Sequence, residues 1–501
     1  MHWEPSADEI TRILGDQNPW HATGAVPQAL ARPVERPLAQ RLWRAVIEPT
    51  PRRAHLILGP RRVGKTTVMY QTVRALLNHG LAPDRLWWMR LDHPYLLRQD
   101  LGSLVRRVID TSGSSSGHEV VLFLDELVYA QQWDRWLKTF HDEGWPVRVV
   151  ATSSATAALK GGFRESGIGR WDEHQLAPYQ FAEYLDLAGL SVPVELGSRL
   201  DATLAALQPG VVSADVADHR RRFSLIGGFP ELLTAVGDLD EESLLLRSQQ
   251  RLREEAIERA IYKDIPQSFG IDSPLMLERL LYVLAGQVTG VLGVTGLARD
   301  LGMSQPTFDR YLSYLEQTFL VFRTLNFAGS EATIQRRGRK LFFLDGAIRN
   351  AALQRGLAPL TDPAEMGVLT ENLVASALHA LSLQSGHRLY HWREGKHEVD
   401  FVLDHPSGPM AFEVSVSPRH SLDGLRRLVE HHPALAGRTY LVTPTSPVRQ
   451  PDGGGTPGSL PLDLFLIAVG RHAERAAQER MTPELASKDA TAAVSRQQES
   501  D

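Results

Sequence analysis

Residues 59–66 read Gly-Pro-Arg-Arg-Val-Gly-Lys-Thr, a complete G-x-x-x-x-G-K-T. That spacing suits phosphate: successive backbone N–H groups curl around it, and the helix that follows aims the positive end of its dipole at it. Gly59, Pro60, Arg61, Arg62, Val63, Gly64, Lys65, Thr66 and Thr67 are therefore the expected nucleotide contacts. Lys65 would reach the β- and γ-phosphates, and Thr66 would ligate Mg2+. A second constellation follows at 120–126, Val-Val-Leu-Phe-Leu-Asp-Glu, an apolar run ending in two carboxylates. Asp125 would hold Mg2+ through a water, and Glu126 would polarise the attacking water as general base. ATP and Mg2+ are the expected cofactors.

Two further sets of side chains belong to the same reading. Residues 147–154 read Val-Arg-Val-Val-Ala-Thr-Ser-Ser, where Thr152 and Ser153 could hold the attacking water or touch the γ-phosphate. A polar strand end at a turn has the same composition. Arg164 and Arg170 come next. Arg170 is the better candidate to act in trans, neutralising charge on the transferring phosphoryl group of a neighbouring copy.

These residues need a scaffold, and the flanking patterns supply one. Strand candidates at 54–59, 85–92, 118–125 and 147–152 alternate with helical patterns, which implies βαβ units. The unbroken apolar character of 120–124 suits a strand buried on both faces of a parallel sheet. Residues 1–35 read as a lead segment that wraps the domain at 36–190, residues 191–275 as a helical lid, and 471–501 as a mostly disordered tail.

At 501 residues the chain exceeds one ordinary domain. It has no cysteine, which excludes disulfides and thiolate metal sites. No apolar run is long enough for a transmembrane helix, and the first residues do not resemble a secretory signal. A cytoplasmic protein without membrane contact is the expectation. Net charge is −5, so no global nucleic-acid signature exists and charge must be read locally.

Locally, Leu297–Ser304 reads as a helix with a Gly stop and a Ser cap, and Gln305–Glu316 as a second helix with Pro in its first turn. That is a helix-turn-helix pattern whose second helix, with Arg310, would enter a major groove. A wing at 320–345 carries Arg336, Arg337, Arg339 and Lys340, a basic cluster suited to phosphate contacts. Packing or protein contact is the other use of such a domain, and the second helix itself carries little net positive charge.

Several of these stretches resemble one family. They are Phe-Leu-Asp-Glu-Leu-Val-Tyr-Ala-Gln-Gln-Trp at 123–133, Thr-Ser-Ser-Ala at 152–155, Gly169-Arg170 and Leu-Ala-Pro-Tyr-Gln-Phe-Ala-Glu-Tyr-Leu at 176–185. Gly227-Gly228-Phe229-Pro230-Glu231 and Tyr262-Lys263-Asp264-Ile265 continue the match. Over about residues 36–430 the chain resembles the prokaryotic AAA-type P-loop ATPases that carry an uncharacterised C-terminal domain. The resemblance implies an α/β ATPase core (36–190) with the helical lid, a winged-helix domain (276–345) and a restriction-endonuclease-like α/β domain (346–470).

The last region holds its own constellation: Glu371 in a helical pattern, Asp400 within His-Glu-Val-Asp-Phe-Val at 397–402, and Glu413 within Ala-Phe-Glu-Val-Ser-Val at 411–416. This resembles the metal-dependent nuclease signature of an Asp followed by Glu-x-Lys, with Asp400 and Glu413 binding Mg2+ and Glu371 assisting. Ser415 stands where the Lys would be, so the charge that stabilises developing phosphate charge is missing from its usual place.

The expectation is an oligomeric ATPase, with a ring among the arrangements open to it, that acts on or is regulated by DNA. Two alternatives stay open: a slow nucleotide-dependent switch for a protein partner, and an ATP-gated metal nuclease.

Overall fold

The computed structural model describes residues 5–48, 52–115, 118–155, 169–208, 210, 212–233, 241–271, 273–336, 338–417 and 420–479. The chain divides into two compact units. The first is Met1–Ala177 with Tyr262–Asp272 and Gln317–Phe319; the second is Pro178–Ile261 with Ser273–Glu316 and Leu320–Asp501.

The first unit is built on five parallel strands: β1 (Ala54–Leu58), β2 (Leu86–Arg90), β3 (Val120–Asp125), β4 (Val147–Ser153) and β5 (Trp171–Gln175), in the order β2-β3-β4-β1-β5. Burial on both faces explains why the central strands, β3 above all, are largely apolar. Val120, Leu122 and Leu124 enter one apolar cluster with Leu56, Leu58, Val149 and Ala151. Val121 and Phe123 enter the opposite cluster with Ile57 and Val150. The fifth strand, Trp-Asp-Glu-His-Gln, escapes a search for apolar runs because it is the edge strand beside β1 and only half-buried.

The lead segment closes the other edge. The Asn18 side chain pairs with the Trp88 backbone, taking its N–H (2.5 Å) and donating to its carbonyl (3.0 Å). Trp20 Nε1 donates to the Leu86 carbonyl (2.9 Å), and Gln17 accepts from the Arg90 N–H (2.8 Å). Side chains thus satisfy backbone groups that an exposed edge would leave open to another strand.

The second unit contains a mixed sheet of seven strands: β6 (Val321–Asn326), β7 (Lys340–Phe343), β8 (Arg388–Glu394), β9 (His397–Asp404), β10 (Met410–Val414), β11 (Thr439–Thr443) and β12 (Gly458–Pro461). The order is β12-β11-β10-β9-β8-β6-β7. Strands β6 and β7, the segment expected to form a wing, are therefore members of the C-terminal sheet, with β6 parallel to β8 at Leu325 and Asn326. The helix pair before them does form, at Val294–Asp300 and Gln305–Gln317, with Gly302 left-handed (φ 67°) and Ser304 Oγ accepting from the Thr307 N–H (3.3 Å).

The helix Pro363–Ser385 packs along this sheet and against the helix Leu462–Glu479. Among the described residues it is the one helix long and apolar enough to cross a bilayer, but half of its apolar window is buried in the unit. Its Asn372 is fully buried and completes β7, accepting from the Phe343 N–H (2.9 Å) and donating to the Phe343 carbonyl (3.0 Å). Asn372→Leu leaves both backbone groups unpaired, and urea unfolding should show a loss of about 1–3 kcal/mol. An unchanged midpoint would contradict this account. The helix Leu462–Glu479 also carries order past residue 471, where the low aromatic content suggested a disordered tail: His472 and Ala473 are buried, and residues 480–501 lie outside the described residues.

Candidate functional site

The loop between β1 and the helix Lys65–Asn78 has the geometry that its glycines predict. Gly64 is left-handed (φ 95°) at the helix start, and a side chain at Gly59 would overlap the Leu176 carbonyl. Arg62 also adopts a positive φ (66°), a conformation that non-glycine residues take up mainly where surrounding structure enforces it. Lys65 is buried, and its Nζ donates to the carbonyls of Gly59 (2.9 Å) and Pro60 (2.8 Å). Burial depresses its pKa, and the charges of Glu126 and Asp125 oppose that shift.

At the end of β3, Asp125 accepts from Thr66 Oγ1 at 3.2 Å and from Thr152 Oγ1 at 2.6 Å. Thr152 in turn accepts from the Glu126 N–H (2.9 Å). The lysine, the threonine and both carboxylates expected from sequence are thus brought to the carboxyl ends of adjacent strands, where open α/β sheets bind ligands. Burial and the neighbouring Glu126 push Asp125 up to about 6, against hydrogen bonds from Thr152 and Thr66. Thr66 and Asp125 converge as a hydroxyl and a carboxylate oxygen, the hard donor set that Mg2+ prefers. Glu126 itself is left-handed (φ 58°), which turns its side chain out of the strand's alternation.

Sequence reasoning misjudged one hydroxyl and missed a carboxylate. Ser153 faces away from this cluster: its Oγ donates to the Ala155 carbonyl (2.6 Å), closing a turn. Ser154 takes the place given to Ser153, with Oγ 3.3 Å from Glu126 Oε2 and 3.1 Å from Asp264 Oδ2. Strand periodicity carried the signal, since Thr152 and Ser154 share a face that Ser153 does not. Asp264 belongs to Tyr262-Lys263-Asp264-Ile265, which docks at this edge; Lys263 Nζ lies 5.0 Å from the Tyr129 ring centre and Ile265 is buried.

Arg170 lies elsewhere. Its carbonyl accepts from the N–H of Ala54, the first residue of β1, at the opposite end of the sheet from Lys65, about 17 Å along a five-residue strand. Its guanidinium grips Asp142 at 2.8 and 3.0 Å. It does not reach the phosphate loop of its own chain. Arg164 lies outside the described residues.

The C-terminal constellation assembles around an unexpected cation. Lys340, read from sequence as a basic wing residue, cannot contact a nucleic-acid backbone: it is 1% exposed. Its Nζ pairs with Glu398 and lies 3.2 Å from Asp400 and 3.3 Å from Glu371. The edge strand β7 thus brings a positive charge to the carboxylates that Ser415 does not supply. Asp400 accepts from the Val414 N–H (3.0 Å), and Glu413 accepts from the Asp400 N–H (3.3 Å) and pairs with His420 (2.8 Å). Burial and the charge of Asp400 push Glu371 up to about 8, against Lys340, and push Glu413 up to about 7, against His420. Among the described residues, no group of three His, Cys, Asp or Glu side chains is placed to hold a metal ion. Of the other basic residues, Arg310 is exposed and Arg339 partly so, whereas the side chain of Arg336 and all of Arg337 lie outside the described residues.

Comparisons with known proteins divide the chain into three matched stretches. Residues 51–185 match the family model described as an AAA domain. Residues 217–358 and 366–455 match two domains of unknown function, DUF8612 and DUF4143. An uncharacterized protein of Methanocaldococcus jannaschii, MJ1637, is 26% identical over 385 residues, covering 74% of this chain and 77% of its own. The uncharacterized Mycobacterium tuberculosis protein Rv2008c is 26% identical over 364 residues, covering 72% and 69%. Among solved structures, the Aeropyrum pernix ORC1 protein in complex with DNA aligns at TM-score 0.29 and 14% identity over 64% of this chain and 92% of that one. Thermotoga maritima RuvB aligns at 0.26 and 16% over 63% and 92%. Neither structural likeness bears on the chemistry. With its phosphate loop, its parallel sheet and the matching family model, the stretch 51–185 is an AAA-type P-loop ATPase domain.

Proposed function

We propose that this protein hydrolyses ATP with Mg2+ at the 59–66 loop and works as an oligomer whose turnover acts on, or answers to, DNA. The observation that carries the hydrolytic part is the convergence of Lys65, Thr66, Asp125, Thr152 and Glu126 at the carboxyl ends of neighbouring strands. Lys65 would exchange its carbonyl partners for phosphate oxygens, Thr66 and Asp125 would serve Mg2+, and Glu126 would take the proton of the attacking water. Self-association would be needed for Arg170 to meet a nucleotide, since in its own chain it pairs with Asp142 at the far end of the sheet. The DNA part is supported by the helix pair that presents an exposed Arg310, and by a partly exposed Arg339 further along the chain.

Phosphate release by the full chain, with Mg2+ or with EDTA and with or without duplex DNA, tests the reading. DNA should raise turnover severalfold at low salt, and the stimulation should fade as ionic strength screens the contacts. Arg310→Ala with Arg339→Ala should weaken DNA binding without changing basal turnover. Hydrolysis that ignores DNA, with no DNA binding at low salt, favours the nucleotide-dependent protein-interaction switch instead. The nuclease alternative draws less support, because Lys340 already neutralises part of the carboxylate cluster that would hold the metal.

A further inference from the structure

Arg61 occupies the third position of the phosphate loop, yet its side chain is mostly buried and is gripped by a residue far along the chain. Nε donates to Asp264 Oδ2 at 2.6 Å, and Nη2 donates to Oδ1. The Arg61 side chain is 14% exposed and that of Asp264 is 1%. Burial disfavours the Arg61 cation, but the hydrogen bonds and charge of Asp264, with Glu126 adding to them, outweigh it and raise its pKa. Lys65 in turn feels the charge of Arg61. A cation is therefore held against Asp264, which shares the Ser154 hydroxyl with Glu126, beside the residues expected to meet the terminal phosphate.

A buried ion pair contributes little net stability, because desolvation cancels most of its attraction. Its use is geometric: a forked pair fixes the plane of the guanidinium. Two of five donors are committed to Asp264, which leaves others on the same group for phosphate oxygens. Asp264 has a second hold on the site. Its Oδ2 accepts from Ser154 Oγ, the same hydroxyl that lies near Glu126 Oε2. One hydroxyl proton is shared between two carboxylates, so the position of Asp264 influences the orientation of the base as well.

We propose that Arg61 supplies positive charge to the terminal phosphate in cis, and that Asp264 is the positioning residue that pre-orients Arg61 directly and Glu126 through Ser154. The inference rests on the ATPase reading. In that reaction water attacks the γ-phosphorus while its bond to the β–γ bridging oxygen breaks. The water proton passes to Glu126 and the bond's electron pair leaves with ADP. The charge that grows on the bridging and γ-oxygens is what Arg61 would meet already in place, without reorganisation.

Asp264→Asn keeps the shape and one acceptor oxygen but removes the charge. Its kcat should fall on the order of 10- to 100-fold, with KM for ATP within about threefold of wild type, since the lost contact matters in the transition state. Arg61→Lys keeps the charge and loses the fork, and it should not rescue turnover. The double variant should be no worse than the poorer single one, as expected of residues acting as a unit. A merely structural pair predicts the opposite: a lowered unfolding midpoint, near-normal kcat in the folded fraction and rescue by Lys. That result, or Asp264→Asn within twofold of wild type, overturns the proposal. Should Asp264→Asn fail to fold, Ser154→Ala gives the decision through the same loss of kcat at constant KM, and normal turnover there overturns it. A wild type that releases no phosphate overturns the ATPase reading and this inference together; an active wild type with an equally active Asp264→Asn overturns the inference alone.

Discussion

Glu126→Gln should abolish phosphate release while ATP remains bound. The substitution conserves volume and keeps an oxygen that can accept from Ser154 Oγ, 3.3 Å away in the wild type, and it leaves the Glu126 N–H bond to Thr152 intact. It removes the basicity together with the negative charge that Lys65, Asp125 and Arg61 feel. A positioned general base contributes roughly 10²- to 10⁴-fold, so kcat should drop by that range. Nucleotide affinity should persist, because the groups expected to hold phosphate and Mg2+ are Lys65, Thr66 and Asp125. Phosphate release and fluorescent-nucleotide binding, measured on the same preparation, separate the two. A variant that turns over within about tenfold of wild type removes Glu126 from the base role. If the wild type is itself that slow, the nucleotide-dependent switch becomes the better reading.

The second large effect concerns stability. Lys340→Met should cost about 3–5 kcal/mol, the usual penalty for leaving buried charge uncompensated. Lys340 is 1% exposed and is the ammonium shared by Glu371, Glu398 and Asp400. The loss should depend on pH, and its sign follows from the carboxylates. In the folded protein burial and Asp400 raise Glu371 to about 8 and Glu413 to about 7. The folded state therefore holds protons that the unfolded chain has released, and these groups make stability fall as pH rises from about 4.5 toward 8. Removing the ammonium pushes the carboxylates higher still. The variant should then lie nearest to wild type at pH 5.5 and furthest from it at pH 8, as read by urea midpoints at each pH. Adding Glu371→Gln should recover part of the loss. A penalty that is flat across this range would show that Lys340 acts through packing rather than charge.

Much of the candidate nucleotide site was legible because its pattern is local. Gly59 to Thr66 are consecutive, Asp125 and Glu126 are adjacent, and a strand–loop–helix pattern declares which way they face. Thr152 followed from its place at the end of an apolar strand. Ser154 was within reach of the same logic, since alternation puts it on the side of Thr152, but a turn just after the strand obscured the register. The fifth strand was illegible for a different reason: an edge position needs no apolar run, so Trp171–Gln175 carries little pattern.

What the sequence determined by itself is the candidate site's local pattern and its scaffold: a phosphate-loop motif, a carboxylate pair and a parallel sheet buried on both faces, each encoded by neighbours in the chain. Only the tertiary structure decided which distant charges meet. It brought Asp264 to Arg61, and it moved Lys340 from a supposed nucleic-acid contact to the centre of a buried carboxylate cluster. A charged residue reads alike in sequence whether it is solvated or buried. Its role depends on the partner that offsets its desolvation, and that partner is chosen by the fold.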